Sequence, residues 1–317
     1  MSTPAETNGW HNPGVENGID LSGSNATPSG TGLPYRVTGH RRGWAIWFAF
    51  FCFDGCVLPI ILFYGLWYGS KLSHWTILAI LTSLSFWTSY HKWFSRGYRL
   101  FIKRDPKFRP INGNRWAFDC SYYILSLALL IMILELVIAT STKNVPVRVI
   151  SMAPPSVAYT IGIYMLIQNT AHCLKVRTPV TLSSIKRGSV TPPPLFTVME
   201  DVFAADGCHM GLPAREAMVA LYNGNPKFRR SLMLWSWIWC FWMLAVAIAM
   251  SIAVGETSQT TGFGIAYGVT FPSIVVMAVV TAWWMDRQDA KGAFSVSAGQ
   301  GKILSGSSMR DPARSRP

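Results

Sequence analysis

Apolar stretches separated by short polar and basic segments dominate the middle of the chain. Six of them are long enough, or nearly long enough, to cross about 30 Å of hydrocarbon as a helix that rises about 1.5 Å per residue. They lie at residues 44–68, 74–90, 116–140, 149–168, 232–254 and 262–284. The pattern predicts an all-α fold, a polytopic membrane helix bundle of about six transmembrane helices.

Two of these stretches have features that constrain their packing. The second is the shortest and carries five hydroxyl residues, so we expect it to pack inside the bundle; these residues are Thr76, Thr82, Ser83, Ser85 and Thr88. The fourth contains Pro154-Pro155 near its start. Because proline lacks a backbone N–H and its ring clashes with the preceding turn, we expect this helix to begin late or to kink there.

The polar regions divide the chain into five parts. Residues 1–38 are rich in Ser, Thr, Gly, Pro and Asn and are predicted to be a disordered tail. Residues 39–168 carry the first four transmembrane helices, residues 169–231 form a loop, and residues 232–285 carry the last two. Residues 286–317 are predicted to be a second disordered tail.

Lysine and arginine fall almost entirely on one side of the predicted bundle. That side holds the segment before the first span, the loops after the second and fourth spans, and the C-terminal tail. The opposite side holds only Lys71, Lys143 and Arg148. The positive-inside rule therefore predicts that both termini and the loop at 169–231 are cytosolic.

Composition supports a membrane protein and excludes several other classes. Charged residues make up 14% of the 317 residues, against roughly 25% in soluble domains. The net charge of +13 is confined to segments between apolar runs, so we interpret it as membrane topology and not as nucleic-acid binding. The predicted partner is the lipid bilayer. The cysteines form no C-x-x-C pair and no phosphate, haem or metal motif occurs, so no cofactor or metal is predicted.

Three acids lie inside the predicted spans, at Asp54, Asp119 and Glu135. Asp119 is close to the cytosolic edge, where Arg115 one turn earlier can form an ion pair with it. Asp54 lies about 15 Å into the first span, near the midplane, where desolvation favours a neutral acid that can donate a proton. Asp54 is therefore the candidate catalytic general acid, and Glu135, near the opposite edge, is a weaker candidate. The alternative for Asp54 is a structural hydrogen bond to a hydroxyl on another helix.

The loop at 169–231 is the one sizeable segment outside the predicted spans. We expect an amphipathic helix from Pro213 to about Tyr222 that caps the bundle at the membrane surface. Three acids precede it, at Glu200, Asp201 and Asp206. They could bind a cation, but surface salt bridges to Lys186 and Arg187 are the favoured interpretation.

Two blocks of sequence resemble a known group of proteins. The first joins Trp93-Phe94-Ser95-Arg96-Gly97-Tyr98 to Arg104-Asp105-Pro106-Lys107-Phe108-Arg109-Pro110. The second joins Met199-Glu200-Asp201-Val202-Phe203-Ala204-Ala205-Asp206-Gly207 to Arg215-Glu216-Ala217 and Asn225-Pro226-Lys227-Phe228-Arg229-Arg230. From about Gly39 to Gly255 the chain is similar to fungal multi-pass integral membrane proteins, some encoded in secondary-metabolite gene clusters, including terpenoid and indole-diterpene ones. It differs from that group at Ala205, Cys208 and Ala220-Leu221-Tyr222.

The resemblance implies a part in fungal secondary-metabolite biosynthesis, at the endoplasmic reticulum or another endomembrane. One hypothesis is a membrane-embedded cyclase or accessory factor, in which Asp54 protonates a lipophilic small molecule and aromatic faces stabilise the resulting carbocation. The aromatic candidates are Phe48, Phe50, Phe51, Phe53, Trp87, Trp237 and Trp242. The alternatives are a small transporter or exporter of a lipophilic metabolite, and a scaffold that holds soluble pathway enzymes at the cytosolic loop. Sequence leaves open whether the protein is an enzyme.

Overall fold

A computed structural model of the chain describes residues 33, 41–84, 87–98, 102, 119–141, 146–181, 183–185, 187–206 and 211–294. Within these residues the backbone is helical apart from turns and one antiparallel bridge between Arg177 and Val190. The all-α expectation is confirmed for this part of the chain.

The described residues form eleven α-helices and two π-helical turns. Helix α1 (Arg41–Cys52) continues through a π-helical turn at Phe53–Val57 into α2 (Leu58–Gly69). The remaining helices are α3 (His74–Leu84), α4 (Trp87–Gly97), α5 (Cys120–Ser141), α6 (Val147–Ser151), α7 (Ala153–Cys173), α8 (Pro194–Asp201), α9 (Leu212–Gly224), α10 (Pro226–Glu256) and α11 (Gln259–Ala290). A second π-helical turn, at Val202–Asp206, follows α8.

Four helical segments of the described chain are long and apolar enough to cross a membrane. They are Arg42–Gly69, Cys120–Ala139, Pro226–Glu256 and Gln259–Ala290. These segments coincide with the predicted first, third, fifth and sixth spans. The predicted second span lies over α3 and α4, and the predicted fourth span lies over α6 and α7. Among the described residues, neither of these two segments meets the criteria of helix length and apolarity that the four meet. The count of six spans therefore stays a prediction.

The prediction that hydroxyl residues of the second stretch pack inside is wrong for Ser83. Helix α3 buries Ile77, Leu78 and Leu81, whereas Ser83 is exposed. The Ser83 hydroxyl donates to the carbonyl of Ala79 at 2.8 Å. A helix can thus satisfy a serine through the carbonyl four residues earlier, with no need for a partner in the bundle. Ser85 and the side chains of Thr82 and Thr88 lie outside the described residues.

The expected break at Pro154-Pro155 is confirmed. Helix α6 ends at Ser151 and α7 begins at Ala153, so both prolines lie in the first turn of α7. Backbone N–H groups in a first turn have no helical acceptor, and proline is therefore tolerated there. Further along α7, a Cβ atom at Gly162 would lie 2.8 Å from Leu244 Cδ2, so glycine allows α7 to pack closely on α10.

The predicted amphipathic helix in the loop is present as α9, Leu212–Gly224. Its buried side chains, together with α8 and the near ends of α10 and α11, form a second core beside that of the long helices. Both ends of the described chain contribute to it: Leu33 and Phe294 are buried there, and the N–H of Leu33 donates to Asp289 Oδ1 at 3.0 Å. Leu33, the loop and the end of α11 therefore meet on one face of the molecule.

Candidate functional sites

The backbone around Asp54 departs from α-helical geometry at the middle of the first long helix. Pro59 lies at the start of α2 and cannot donate a hydrogen bond to the carbonyl of Gly55. The chain responds with a π-helical turn over Phe53–Val57, in which the N–H of Leu58 bonds to the carbonyl of Phe53. Asp54 lies in this turn and its side chain is 4% exposed. Single π-helical turns inside long helices are frequent at functional sites.

The π-helical turn packs against α11 at Phe271, next to the proline that lies inside that helix. A Cβ atom at Gly55 would lie 2.9 Å from Phe271 Cγ, and the rings of Phe51 and Phe271 meet edge to face at 5.8 Å. Pro272 lies inside α11 and removes the hydrogen bond to the carbonyl four residues earlier. Thr270, just before this pair, is fully buried, and its Oγ1 has no hydrogen-bond partner among the described residues.

The two helices therefore carry two buried polar side chains, Asp54 and Thr270, next to their shared contact at Gly55 and Phe271. We refer to Asp54, Gly55, Thr270 and Phe271 as the midmembrane site. Its polar groups lie in a surrounding of apolar and aromatic side chains.

The aromatic residues proposed to line the site are only partly placed there. Phe51 packs against Phe271. Phe50, Phe53 and Trp242, three other candidates for stabilising a carbocation, are exposed on the outside of the bundle. Because the helix is apolar on all sides, periodicity does not show which aromatic faces point inward. Trp237 stacks on Phe241, Phe48 packs on Trp44 and Trp47, and the side chain of Trp87 lies outside the description.

Glu135, the weaker candidate, lies on a different pair of helices. It is half-buried on α5 and accepts a short hydrogen bond from the hydroxyl of Ser156 on α7. Asp54 and its π-helical turn pack instead against α11. The structure thus places the two acids in separate environments, with Glu135 in a helix-to-helix hydrogen bond.

A second group of polar residues lies where the loop meets α4 and α5. Arg215 of α9 donates through Nη2 to Asp119 Oδ1 at 2.6 Å, and through Nη1 to Glu200 Oε1 at 2.8 Å and Asp201 Oδ1 at 2.9 Å. Arg96 of α4 donates to the other oxygen of Asp119 at 2.8 Å. We call these five residues the arginine cluster.

Four of the five members of the arginine cluster are closed to solvent, and the cluster is fastened to the start of α5. The side chains of Arg215, Asp119, Glu200 and Asp201 are fully buried. Asp201 also accepts the N–H of Ser121 at 3.0 Å in the first turn of α5, and the hydroxyl of Ser183 at 2.9 Å. The hydroxyl of Ser184 donates a short hydrogen bond to Glu200. A carboxylate at a helix N-terminus is stabilised by the free N–H groups and the helix dipole.

The guanidinium groups of Arg96 and Arg215 face the carboxylates of Asp119, Glu200 and Asp201 in a largely buried place. Burial raises the pKa of Glu200 to about 7, although Arg215 opposes the shift. Burial disfavours the charged form of Arg215, but the three carboxylates outweigh it, so its pKa lies above the ordinary value. The Oε2 atom of Glu200 has no hydrogen-bond partner among the described residues. These ion pairs hold the loop against α4 and α5. The four fully buried members are closed to a substrate.

The expectation of an ion pair for Asp119 is confirmed, with Arg96 and Arg215 as partners; Arg115 lies outside the described residues. The prediction of surface salt bridges for Glu200 and Asp201 is wrong, because both are buried against Arg215. One signal pointed to this: Arg215 lies on the apolar stripe of α9 with Ala214, Met218 and Leu221. A charge on such a stripe needs buried partners. Lys186 and the side chain of Asp206 lie outside the description.

Among the residues that the structure describes, no group of three His, Cys, Asp or Glu side chains is arranged to hold a metal ion. The described residues thus form an all-helical protein with four candidate membrane-spanning helices, a buried acid within the first of them and a loop held by buried ion pairs. The chain belongs to a family defined by a domain of unknown function (DUF8766), which matches residues 19–292. Comparison with curated proteins and with solved structures finds no match.

Proposed function

We propose that this protein binds a lipophilic small molecule at the midmembrane site and that Asp54 is the acid that contacts it. The observation that carries the proposal is the burial of Asp54 in a π-helical turn, packed against the proline-interrupted part of α11. Ionisable residues within a membrane span are costly and are retained mainly where they serve a function.

The chemistry that fits this site is proton donation to an alkene or an epoxide oxygen. The O–H bond of the Asp54 carboxyl breaks as a C–H or O–H bond forms on the substrate, and the positive charge passes to the substrate. We propose that Phe51 and Phe271, which pack edge to face on each other beside this turn, stabilise that charge. Loss of a proton from the rearranged substrate back to Asp54 closes the cycle, so no oxidant or cofactor is needed. The product is an isomer of the substrate.

The setting we propose is fungal secondary-metabolite biosynthesis, with the protein as a membrane-embedded cyclase or accessory factor. Support comes from the sequence resemblance at the two quoted blocks. Helices α9 and α8 contribute Arg215, Glu200 and Asp201 of the second block to the arginine cluster, so that block has a structural use in this chain.

We further propose six spans with both termini cytosolic, in the endoplasmic reticulum or another endomembrane. The basic asymmetry of the sequence supports this orientation. The hydrogen bond between Leu33 and Asp289 supports the placement of both chain ends on the same side of the membrane. An even number of crossings brings the two ends to one face.

A second candidate function is transport of a lipophilic metabolite. The observation that favours it is the contact between the π-helical turn of the first long helix and the part of α11 that carries Pro272. Departures from regular helix geometry near the midplane contribute to the substrate sites of many transporters.

Gene deletion followed by profiling of lipophilic extracts tests the proposal. The deletion strain is complemented with wild type, with Asp54→Asn and with Glu135→Gln. Glu135→Gln is the matched control, because a glutamine oxygen can still accept from Ser156. We expect the lost compounds to return with wild type and Glu135→Gln but not with Asp54→Asn. Full restoration by Asp54→Asn would refute a role for the acid.

The same extracts separate the alternatives. A missing product with accumulation of a lipophilic isomer indicates the enzyme. A product that forms but stays inside the cells indicates an exporter. If Asp54→Asn restores everything while disruption of the loop at 169–231 does not, the scaffold hypothesis gains the support.

A further inference from the structure

The segment directly after α7 folds back on itself through one antiparallel bridge, between Arg177 and Val190. It exposes aliphatic and basic side chains next to each other. We call residues 174–190 the juxtamembrane ribbon. Its aliphatic residues Leu174, Val176, Val180 and Val190 are exposed, Leu174 by 71% and Val180 by 57%. Lys175, Arg177 and Arg187 are exposed beside them.

The ribbon is rigidly held. The backbone of Thr178 bonds to Ser189 at 2.8 Å and to Gly188 at 2.9 Å, and Lys175 and Gly188 adopt positive φ angles of 53° and 86° at the turns. Thr178 and Thr191 are buried on its inner side. These backbone hydrogen bonds hold Thr178 against the segment at 188–189, with the exposed aliphatic residues to either side of it.

The ribbon is also fastened to the end of α7. His172 Nδ1 lies 2.6 Å from the carbonyl of Thr191, and the amide of Gln168 donates to the carbonyl of Pro192 at 3.0 Å. Exposed residues of α7 lead to it along one face, since Ile163, Ile167 and Leu174 are spaced by four and seven residues. The apolar outer face of α7 thus continues into the ribbon over about 16 Å.

We propose that the juxtamembrane ribbon is an interfacial anchor that binds anionic phospholipids. Its aliphatic side chains enter the headgroup region, and Lys175, Arg177 and Arg187 contact the lipid phosphates. Groups of exposed apolar residues mark contacts with a protein or a membrane. The continuity with the outer face of α7 favours the membrane, and lysine and arginine side chains near an anionic leaflet are attracted to it. The inference rests on the proposed crossing of the membrane by α7.

Fluorescence quenching in nanodiscs tests the anchor with the full-length protein. Cys173 and Cys208 are replaced by serine, and an environment-sensitive dye is attached at Val180→Cys. The protein is placed in discs of phosphatidylcholine, with or without phosphatidylserine, that contain lipids spin-labelled near the headgroup. Ala217→Cys, on the exposed face of α9, is the water-facing control, and Ile167→Cys is the control within the bilayer. The parent without an introduced cysteine measures residual labelling.

We expect at least twofold quenching at position 180 in discs with phosphatidylserine, none at position 217, and quenching at position 167 in both lipid mixtures. Changing Lys175, Arg177 and Arg187 together to glutamine should lower quenching at position 180 to its value without phosphatidylserine.

Quenching at position 167 without quenching at position 180 would overturn the anchor and leave the span intact, and would indicate a protein as the occupant. Equal quenching at position 180 in both lipid mixtures would overturn the binding of anionic lipid. No quenching at position 167 would contradict the proposed crossing of the membrane by α7 and would overturn the anchor with it, while the proposal for Asp54, which lies on the first long helix, would stand.

Discussion

Arg215 on the loop helix α9 and Asp119 at the start of α5 are joined by a fully buried ion pair of 2.6 Å, although 96 residues separate them in sequence. The pair fixes the loop to the end of a membrane-length helix. With Glu200 and Asp201 on the same guanidinium, it makes Arg215 the centre of the contact between the two cores.

Replacing Arg215 by methionine should destabilise the protein strongly. The variant leaves three buried carboxylates without their main counter-charge, and breaking a buried pair in this way costs about 3–5 kcal/mol. The measurement is the temperature at which detergent-solubilised protein loses its monodisperse chromatographic peak. Arg187→Met, which removes an exposed arginine of the same loop, is the control and should melt as wild type does. Equal melting of the two variants would contradict the role of Arg215.

Glu200 should make stability depend on pH. Because its pKa is raised to about 7 in the folded protein, the folded state holds a proton that the unfolded chain releases near its ordinary value of about 4.3. The stabilisation that this proton gives to the folded state is fully present below a pH of about 4.3 and is lost as the pH rises through about 7. Wild type should therefore melt at a lower temperature at pH 8 than at pH 5.5.

Glu200→Gln isolates this effect, because a neutral amide keeps an oxygen for Ser184 and Arg215 and cannot titrate. We expect a smaller loss of melting temperature between pH 5.5 and pH 8 for this variant than for wild type. An unchanged difference would assign the pH dependence to another group.

Gly55 should tolerate no side chain. A Cβ atom there meets the ring of Phe271 at 2.9 Å, whereas a Cβ atom at Gly65 on the same helix meets nothing within 4 Å. Overpacking of this kind costs about 1–3 kcal/mol. Gly55→Ala should lower the melting temperature and Gly65→Ala should not. Adding Phe271→Leu to Gly55→Ala should recover part of the loss; a double variant no better than the single one would place the clash elsewhere.

Both chain ends and the loop should be reached from the same side of the membrane. Epitope tags are placed at the N-terminus, at the C-terminus and after Gly188, and cells are permeabilised at the plasma membrane only. We expect antibodies to stain all three tags before internal membranes are opened. A tag stained only after full permeabilisation would contradict the predicted cytosolic placement of the segment that carries it.

Sequence predicted the long helices well, because length and uniform apolarity alone define a membrane segment. It also predicted the break at Pro154 and helix α9, since proline placement and an apolar stripe are local signals. The arginine cluster was missed because its members come from α4, α5, α8 and α9, and a single sequence does not show which distant charges meet. Arg215 on an apolar stripe was the one local clue.

Asp54 was identified from the sequence by its depth within the predicted first span. The π-helical geometry of the backbone around it was not predicted. The π-helical turn follows from Pro59 acting on the carbonyl of Gly55, and this is a signal that could have been used. The partner surface on α11 could not have been predicted, because a helix that is apolar on every face has no periodicity to show that Phe271 points toward Gly55. For the same reason, the inward and outward aromatic residues of the first helix were not separated.

The most direct test of the central claim is product formation by isolated membranes of the complemented strains, at protein amounts matched by immunoblot. Proton donation by a placed acid is worth about 10²–10⁴-fold in rate. We therefore predict that Asp54→Asn forms the missing product at least about 100-fold more slowly than wild type, while Glu135→Gln stays within about threefold. Equal rates for Asp54→Asn and wild type would show that the buried acid of the first helix takes no part in the chemistry.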